Sequence, residues 1–255
     1  MILAIDMGNT NIVIGCIDDE KIYFEERIAT DLSKTELEYY VLFKTVLDLY
    51  QIHPEGITGA IISSVVPPLV GVLKAAVEKL IGVTPYIVGS GIKTGLNLIM
   101  DNPRQVGSDL VVDAVAAVWE YGAPVMIVDI GTATTISVVD KNRNYIGGCI
   151  IPGIKAASDS LVMRTAQLSK VSLNAPEKAI GKNTSDCMKS GIIFGHAACL
   201  DGMIGRMEEE LGYSCTVVAT GGLAGVIIPN CKRQMQEDQE LLLKGLKIIY
   251  DLQEK

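Results

Sequence analysis

The 255 residues predict an α/β protein made of two copies of one domain, and three observations carry that expectation. The chain opens with an apolar run, an Asp-x-Gly turn with polar residues and a second apolar run, from Ile2 through Asp6, Met7, Gly8, Asn9, Thr10 and Asn11 to Gly15. The same order recurs from Val125 through Asp129, Gly131, Thr132, Thr134 and Thr135 to Val139, with the two aspartates 123 residues apart (129 minus 6). Around these repeats, short β-branched runs alternate with segments of helical period. Each copy is therefore expected to begin with a strand, a tight turn and a returning strand. A helical stretch that ends at Gly122 and Pro124 places the division near 115–124, giving domains 1–118 and 119–255.

The elements follow in order. Thr35 and Glu38 have capping-box spacing at the head of a helix over 35–50, whose apolar period runs through Tyr40, Phe43, Val46, Leu47 and Tyr50. Residues 59–65 read as a strand. Pro67 and Pro68 then open a helix through Leu69, Leu73, Ala76 and Leu80, stopped at Gly82. A short strand at 85–88 follows, and Gly107, Ser108 and Asp109 precede an apolar helix to Trp119. Over 184–211 a long helix carries Gly191, Gly195, Ala198, Gly202 and Gly205 on one stripe. Close packing against a neighbouring helix or the sheet is the favoured use of that stripe, with a subunit interface as the other. Residues 215–219 make a strand that turns at Thr220, Gly221 and Gly222, and 238–252 an amphipathic helix.

Composition narrows the function. Apolar residues are 49% and charged residues 20%, enough for a real core. The 22 Lys and Arg against 30 Asp and Glu give a net charge of −8, which repels phosphate backbones, so nucleic acid is not an expected partner. Six cysteines without a CxxC and only two histidines, His53 and His196, supply a zinc site poorly and read as structural residues of a reduced, cytoplasmic protein. Asp6 interrupts the first apolar run too early for a secretory segment, and no 18-residue apolar stretch follows, so no membrane association is expected.

The repeated turn carries the chemistry. Gly8 and Gly131 let the main chain approach an anion closely, and the Thr and Asn side chains add donors. A carboxylate beside phosphate requires a cation between them, so Asp6 and Asp129 imply a bound ion. Two such turns and a later Gly-Gly turn fit a nucleotide held between two similar domains, with phosphates on the hairpins and adenosine at Gly221 and Gly222. Asp109 has two readings, a carboxylate favoured by a helix N-terminus or a general base.

These motifs resemble the phosphate and adenosine motifs of the actin-like, sugar-kinase and Hsp70 ATPase superfamily. More closely, nearly the whole chain resembles the type III pantothenate kinases. The likeness rests on Asp6–Asn11, Ser63–Pro68, Gly91–Asn97, Asn102–Gly107, Asp129–Thr135, Gly147–Gly148 with Pro152–Gly153, Gly181–Thr184 and Ala219–Ala224, in that order. It implies two actin-like (ribonuclease H-like) domains, each a mixed five-stranded sheet flanked by helices, with the nucleotide cleft between them. It also implies ATP-dependent phosphorylation of pantothenate to 4′-phosphopantothenate, the first step of coenzyme A synthesis.

By the same resemblance the ATP loop falls on Asp6, Met7, Gly8, Asn9, Thr10, Asn11, Ile12 and Val13, with Asp6 holding Mg2+ through the phosphates. Asp129 is the implied ligand of a monovalent cation, K+ or NH4+, and Thr132 a further ATP contact. Asp109 is the implied proton acceptor, with Met100, Gly107, Ser108, Asp109, Leu110 and Thr184 lining the substrate site. Thr184 is implied to reach the neighbouring subunit's pocket, hence a homodimer. Three positions depart from the family's pattern: Leu110 replaces an arginine, Met100 a tyrosine, and Asp113 a common asparagine. Losing one charged hydrogen bond costs roughly 1.5–3 kcal/mol. A regulatory homologue that binds nucleotide, and a kinase of another small alcohol, therefore stand as alternatives at this stage.

Overall fold

The computed structural model describes residues 1–255. Its elements are β1 (Ile2–Met7), β2 (Asn11–Ile17), β3 (Ile22–Ala29), α1 (Glu36–Leu49), β4 (Gly59–Ser64), α2 (Pro67–Ile81), β5 (Tyr86–Ile87), β6 (Asn97–Leu98) and α3 (Ser108–Tyr121). After them come β7 (Val125–Ile130), β8 (Ala133–Val139), β9 (Asn144–Pro152), α4 (Ile154–Arg164), α5 (Thr184–Leu211), β10 (Thr216–Thr220), α6 (Ala224–Ile227), β11 (Gln236–Glu237) and α7 (Leu241–Glu254). The chain is thus α/β with two mixed sheets flanked by helices. No helix is long and apolar enough to cross a membrane.

The compact units follow a different line from a single cut after 118. One comprises 1–96, 101–116 and 240–255, the other 97–100 and 117–239. Two packing events explain the exchange. Helix α7 lies with the first unit because its apolar face covers that unit's sheet. Segment 97–100 lies with the second because β6 pairs in parallel with β9, Asn97 opposite Asn144.

In the first unit the strand order is β3-β2-β1-β4-β5, with β1 antiparallel to β2 and parallel to β4. Every residue of β1 is buried. Its alternation sends Leu3, Ile5 and Met7 into a core with Tyr39, Phe43 and Leu47 of α1 and Leu69, Leu73 and Val77 of α2. Ala4 and Asp6 therefore belong to the opposite face. There α7 settles so closely that a Cβ on Gly15 would lie 2.6 Å from Leu243 Cδ1, and one on Gly59 would overlap the Tyr250 ring. The capping box at α1 forms as its spacing predicts, the Glu38 carboxylate accepting from the Thr35 N–H at 2.7 Å. The tyrosines fall differently: Tyr39, not Tyr40, is fully buried, and Tyr50 lies outside the core, stacked on Phe24 with centroids 4.5 Å apart.

The second unit repeats the hairpin but adds an edge, in the order β11-β10-β7-β8-β9-β6. Met126, Val128 and Ile130 of β7, with Ile136 and Val138 of β8, pack against Ile192, Ile193, Ala197 and Leu200 of α5. His196 of α5 is buried and meets Thr134 Oγ1 at 3.0 Å, a satisfied core histidine. Helix α5 occupies the predicted span, but its small-residue stripe does not serve internal packing. Gly191, Gly195 and Gly202 are exposed, and a Cβ on any of them would meet nothing within 4 Å. The core is reached instead by the opposite face, through Met188, Ile192, Ile193, His196, Ala197, Leu200 and Ile204. All six cysteines are free thiols.

Candidate active site

In the first unit, predicted site residues converge at the carboxyl ends of β1 and β4. Asp6 is buried on β1, in register with Ser63 of β4 and Val13 of β2. The turn after β1 is held by the Gly8 N–H donating to the Asn11 carbonyl at 2.9 Å and by Thr30, whose hydroxyl donates to the Gly8 carbonyl at 2.7 Å. Asn9, Thr10 and Asn11 are exposed, as an anion-binding turn requires. Met7 and Ile12, expected in the same loop, turn their side chains fully into the core, so only their main chain can face a ligand.

Helix α3 brings Asp109 to this cluster. The Ser108 hydroxyl donates to the Ser64 carbonyl at 3.0 Å and accepts from the Ser64 N–H at 3.1 Å and from the Ser63 hydroxyl at 2.9 Å. The Val65 N–H in turn donates to the Met7 carbonyl at 3.0 Å, so the ends of β1 and β4 and the start of α3 form one hydrogen-bonded knot. Asp109 Oδ1 accepts from the Leu110 N–H at 2.8 Å. A Cβ on Gly107 would collide with that same oxygen, so any other residue there would require the carboxylate to turn aside. Burial pushes the Asp109 carboxyl above its ordinary value, opposed in part by the hydrogen bonds from Leu110 and from its own main chain. That direction suits a base able to accept a proton. Asp113, one helical turn further on, is buried on the same side of α3.

The second unit presents its own set at the ends of β7 and β10. Asp129 is in register with Thr135 of β8 and Thr220 of β10, so the three side chains share one face of the sheet. The Gly221 turn passes over it at φ 95°, and a Cβ there would meet Asp129 Oδ1, Ile130 N at 2.7 Å and Ile130 C at 2.8 Å. Thr132 and Gly222 are exposed beside these turns. Gly153, the N-cap of α4, passes so close to the Thr132 carbonyl that a Cβ there would collide with it.

Thr135 Oγ1 is buried and has no hydrogen-bond partner. With the Asp129 carboxylate and the Thr220 hydroxyl it makes an all-oxygen donor set, which fits a hard cation. No group of three or more His, Cys, Asp or Glu side chains is placed to hold a metal ion.

The remaining predicted residues fall on three other elements or positions. Met100 follows β6 at the edge of the second unit's sheet, its sulfur 3.6 Å from where a Gly147 Cβ would stand. Thr184 is the exposed first residue of α5, beside an Asn183 cap whose side chain accepts from the Asp186 N–H at 2.9 Å. Leu110 is half-buried on α3. Sequence reasoning named neither Thr135 and Thr220 nor Ser63 and Ser64 as site residues. Their signal was register: each faces, or hydrogen-bonds beside, an aspartate strand.

The chain has close relatives. The family model described as type III pantothenate kinase matches residues 2–206. A type III pantothenate kinase of Exiguobacterium sp. is 44% identical over 255 residues, covering 100% of each chain. Another, of Halalkalibacterium halodurans, is 42% identical over 250 residues, 98% of each. Among solved structures, the ROK hexokinase of Thermus thermophilus superimposes with a TM-score of 0.52 at 11% identity, covering 100% of this chain and 99% of that one. At that identity the likeness establishes fold alone, that of the actin-like sugar kinases.

Proposed function

The chain belongs to the type III pantothenate kinase family, and from that membership we infer that it phosphorylates pantothenate on its 4′-hydroxyl with ATP, the entry to coenzyme A synthesis. The observation that carries the mechanism is Asp109, a carboxylate raised by burial and tethered to the strand ends beside Asp6. In the reaction the hydroxyl oxygen attacks the γ-phosphorus, its bond to the β,γ-bridging oxygen breaks, ADP leaves, and the proton passes to Asp109. Phosphoryl transfer asks mainly for positioning and charge neutralisation, and the turn with exposed Asn9, Thr10 and Asn11 offers main-chain and side-chain donors for the first. Thr132, beside the N-terminus of α4, offers a second anion contact, and the Gly221 turn is the proposed seat of adenosine.

Asp6 is the residue that would hold Mg2+ on the phosphates, and Asp129 with Thr135 and Thr220 would hold K+ or NH4+. Bound there, these cations would neutralise phosphate charge. We further propose a homodimer built on α5. Its exposed Gly191, Gly195 and Gly202 allow close helix approach, and Thr184 at the head of that helix is the proposed contact to the neighbouring subunit's pantothenate. Six free thiols suit a reduced, cytoplasmic setting. Met100, Gly107 and Leu110 are proposed to shape the acceptor side, where Leu110 adds apolar surface and no charge.

The test is Asp109→Asn. Turnover of ATP with pantothenate should fall by at least about 100-fold, the lower range of a general base's contribution, with ATP affinity nearly unchanged. Retained turnover would remove Asp109 from the role.

A further inference from the structure

We propose that Ser108 is a positioning residue for the transfer step rather than a ligand of the substrate. A serine hydroxyl has one hydrogen to donate and two lone pairs to accept with. All three are engaged within this knot: the hydrogen by the Ser64 carbonyl, the lone pairs by the Ser64 N–H and the Ser63 hydroxyl. Nothing is left on the oxygen to recognise an acceptor molecule. What the three bonds do is fix the start of α3 to the end of β4 at two main-chain atoms and one side chain. Ser63, fully buried, is the register partner of Asp6, and Asp109 is the next residue along α3. Ser108 therefore ties the helix that presents the base to the strand pair that presents the phosphate-side carboxylate.

The energetics favour a geometric role over a purely structural one. Removing the hydroxyl leaves the Ser64 N–H and carbonyl and the Ser63 hydroxyl seeking partners, which a small shift of the α3 N-terminus would supply. Such a shift moves Asp109 directly, because Asp109 follows Ser108 in the chain and its carboxylate occupies the space where a Gly107 Cβ would stand. A misplacement of the order of 1 Å is enough to cost roughly 100-fold in rate.

This inference rests on Asp109 being the proton acceptor, and the experiment separates the two. Steady-state kinetics and thermal midpoints are measured for Ser108→Ala, Ser108→Thr, Ser63→Ala and Asp109→Asn. Ser137→Ala serves as a matched buried hydroxyl, since Ser137 Oγ meets Tyr145 Oη at 3.0 Å within the second unit's sheet. We expect Ser108→Ala to lower kcat by about tenfold or more, with KM for pantothenate within about twofold. Ser63→Ala, which removes one of the three bonds, should lower kcat less, Ser108→Thr should restore most of it, and Ser137→Ala should lower the midpoint without touching kcat. The proposal is overturned if Ser108→Ala and Ser63→Ala keep parental kcat, or if Ser108→Ala raises KM for pantothenate at unchanged kcat, the signature of a substrate ligand. A fall in kcat for Ser137→Ala equal to that for Ser108→Ala would also overturn it. If Asp109→Asn retains turnover, the base assignment fails; if it is inactive while Ser108→Ala is normal, only the positioning role fails.

Discussion

Alanine at position 221 should damage the second unit in two ways that can be summed. The backbone there has φ 95°, a region that costs an L-residue about 1–2 kcal/mol. The added Cβ would also stand 2.7 Å from Ile130 N and 2.8 Å from Ile130 C, main-chain atoms that cannot swing aside as a side chain would. Overpacking of this kind costs about 1–3 kcal/mol, so the total is about 2–5 kcal/mol. At about 2–4 °C per kcal/mol for a chain of this size, the thermal midpoint should fall by roughly 5 °C or more. Because the same Cβ presses on Asp129 Oδ1 and displaces the turn proposed to seat adenosine, ATP affinity should fall as well. Gly225→Ala is the control, four residues on in α6, where a Cβ meets only Glu237 Oε1 at 3.6 Å. That change should be neutral or stabilise by about 0.5–1 kcal/mol. Differential scanning fluorimetry and nucleotide titration on both variants decide it. A Gly221→Ala midpoint within about 1 °C of the parent, or equal losses in the two variants, would refute the reasoning.

Three further outcomes are expected. Asp109→Asn should be more stable than the parent at neutral pH: with its carboxyl raised above 3.8 in the folded state, the native protein holds the proton more tightly and loses stability as pH climbs from about 3.8 through the raised value. The advantage of the asparagine should therefore shrink toward zero below about pH 4, read from urea midpoints across pH. If the proposed cation site is real, K+ should raise the parent's turnover and thermal midpoint, and Asp129→Asn should leave the fold intact while abolishing both effects. Gly195→Leu adds a large side chain on the exposed stripe of α5, where a Cβ meets nothing within 4 Å, so if the proposed homodimer is built there light scattering should report its loss, with the thermal midpoint no longer rising with protein concentration.

The parts of this architecture legible in the sequence are those set by local patterns. The Asp-x-Gly hairpins were readable because a strand, a glycine turn and a second strand need only neighbouring residues, and β1–β2 and β7–β8 pair as that reading requires. The span of α5 was readable because Thr184 and Gly212 bracket one continuous helical period, ended by a left-handed glycine at φ 73°. What escaped depends on distant partners. Tyr39 and Tyr40 are adjacent on a helix, and it is Tyr39, four residues before Phe43 and hydrogen-bonded through its hydroxyl to the Asp31 main chain, that is buried. The small-residue stripe has the same spacing whether it meets a helix or faces outward, so sequence could not reveal its exposure. The roles of Thr135 and Ser108 follow from cross-strand register and from a helix docking on a strand end, both set by tertiary packing. Asp109 itself was visible as a motif; its raised carboxyl was not, because burial is a property of the assembled fold.

The packing of α7 on the first unit has a consequence for how the chain acquires its structure. The second unit's segment 117–239 lies in sequence between the first unit's sheet and the helix that covers it. A chain emerging from the ribosome therefore displays β1, β2 and β4 with the Gly15 and Gly59 face bare while more than a hundred further residues are made. At roughly 5–20 residues per second that interval lasts many seconds, long enough for chaperones or proteases to meet the exposed surface. The second unit, nearly contiguous, can be complete before the first. A chain interrupted before α7 would keep β1, β2 and β4 uncovered on that face, so the fate of those strands hangs on a helix made well over a hundred residues after them.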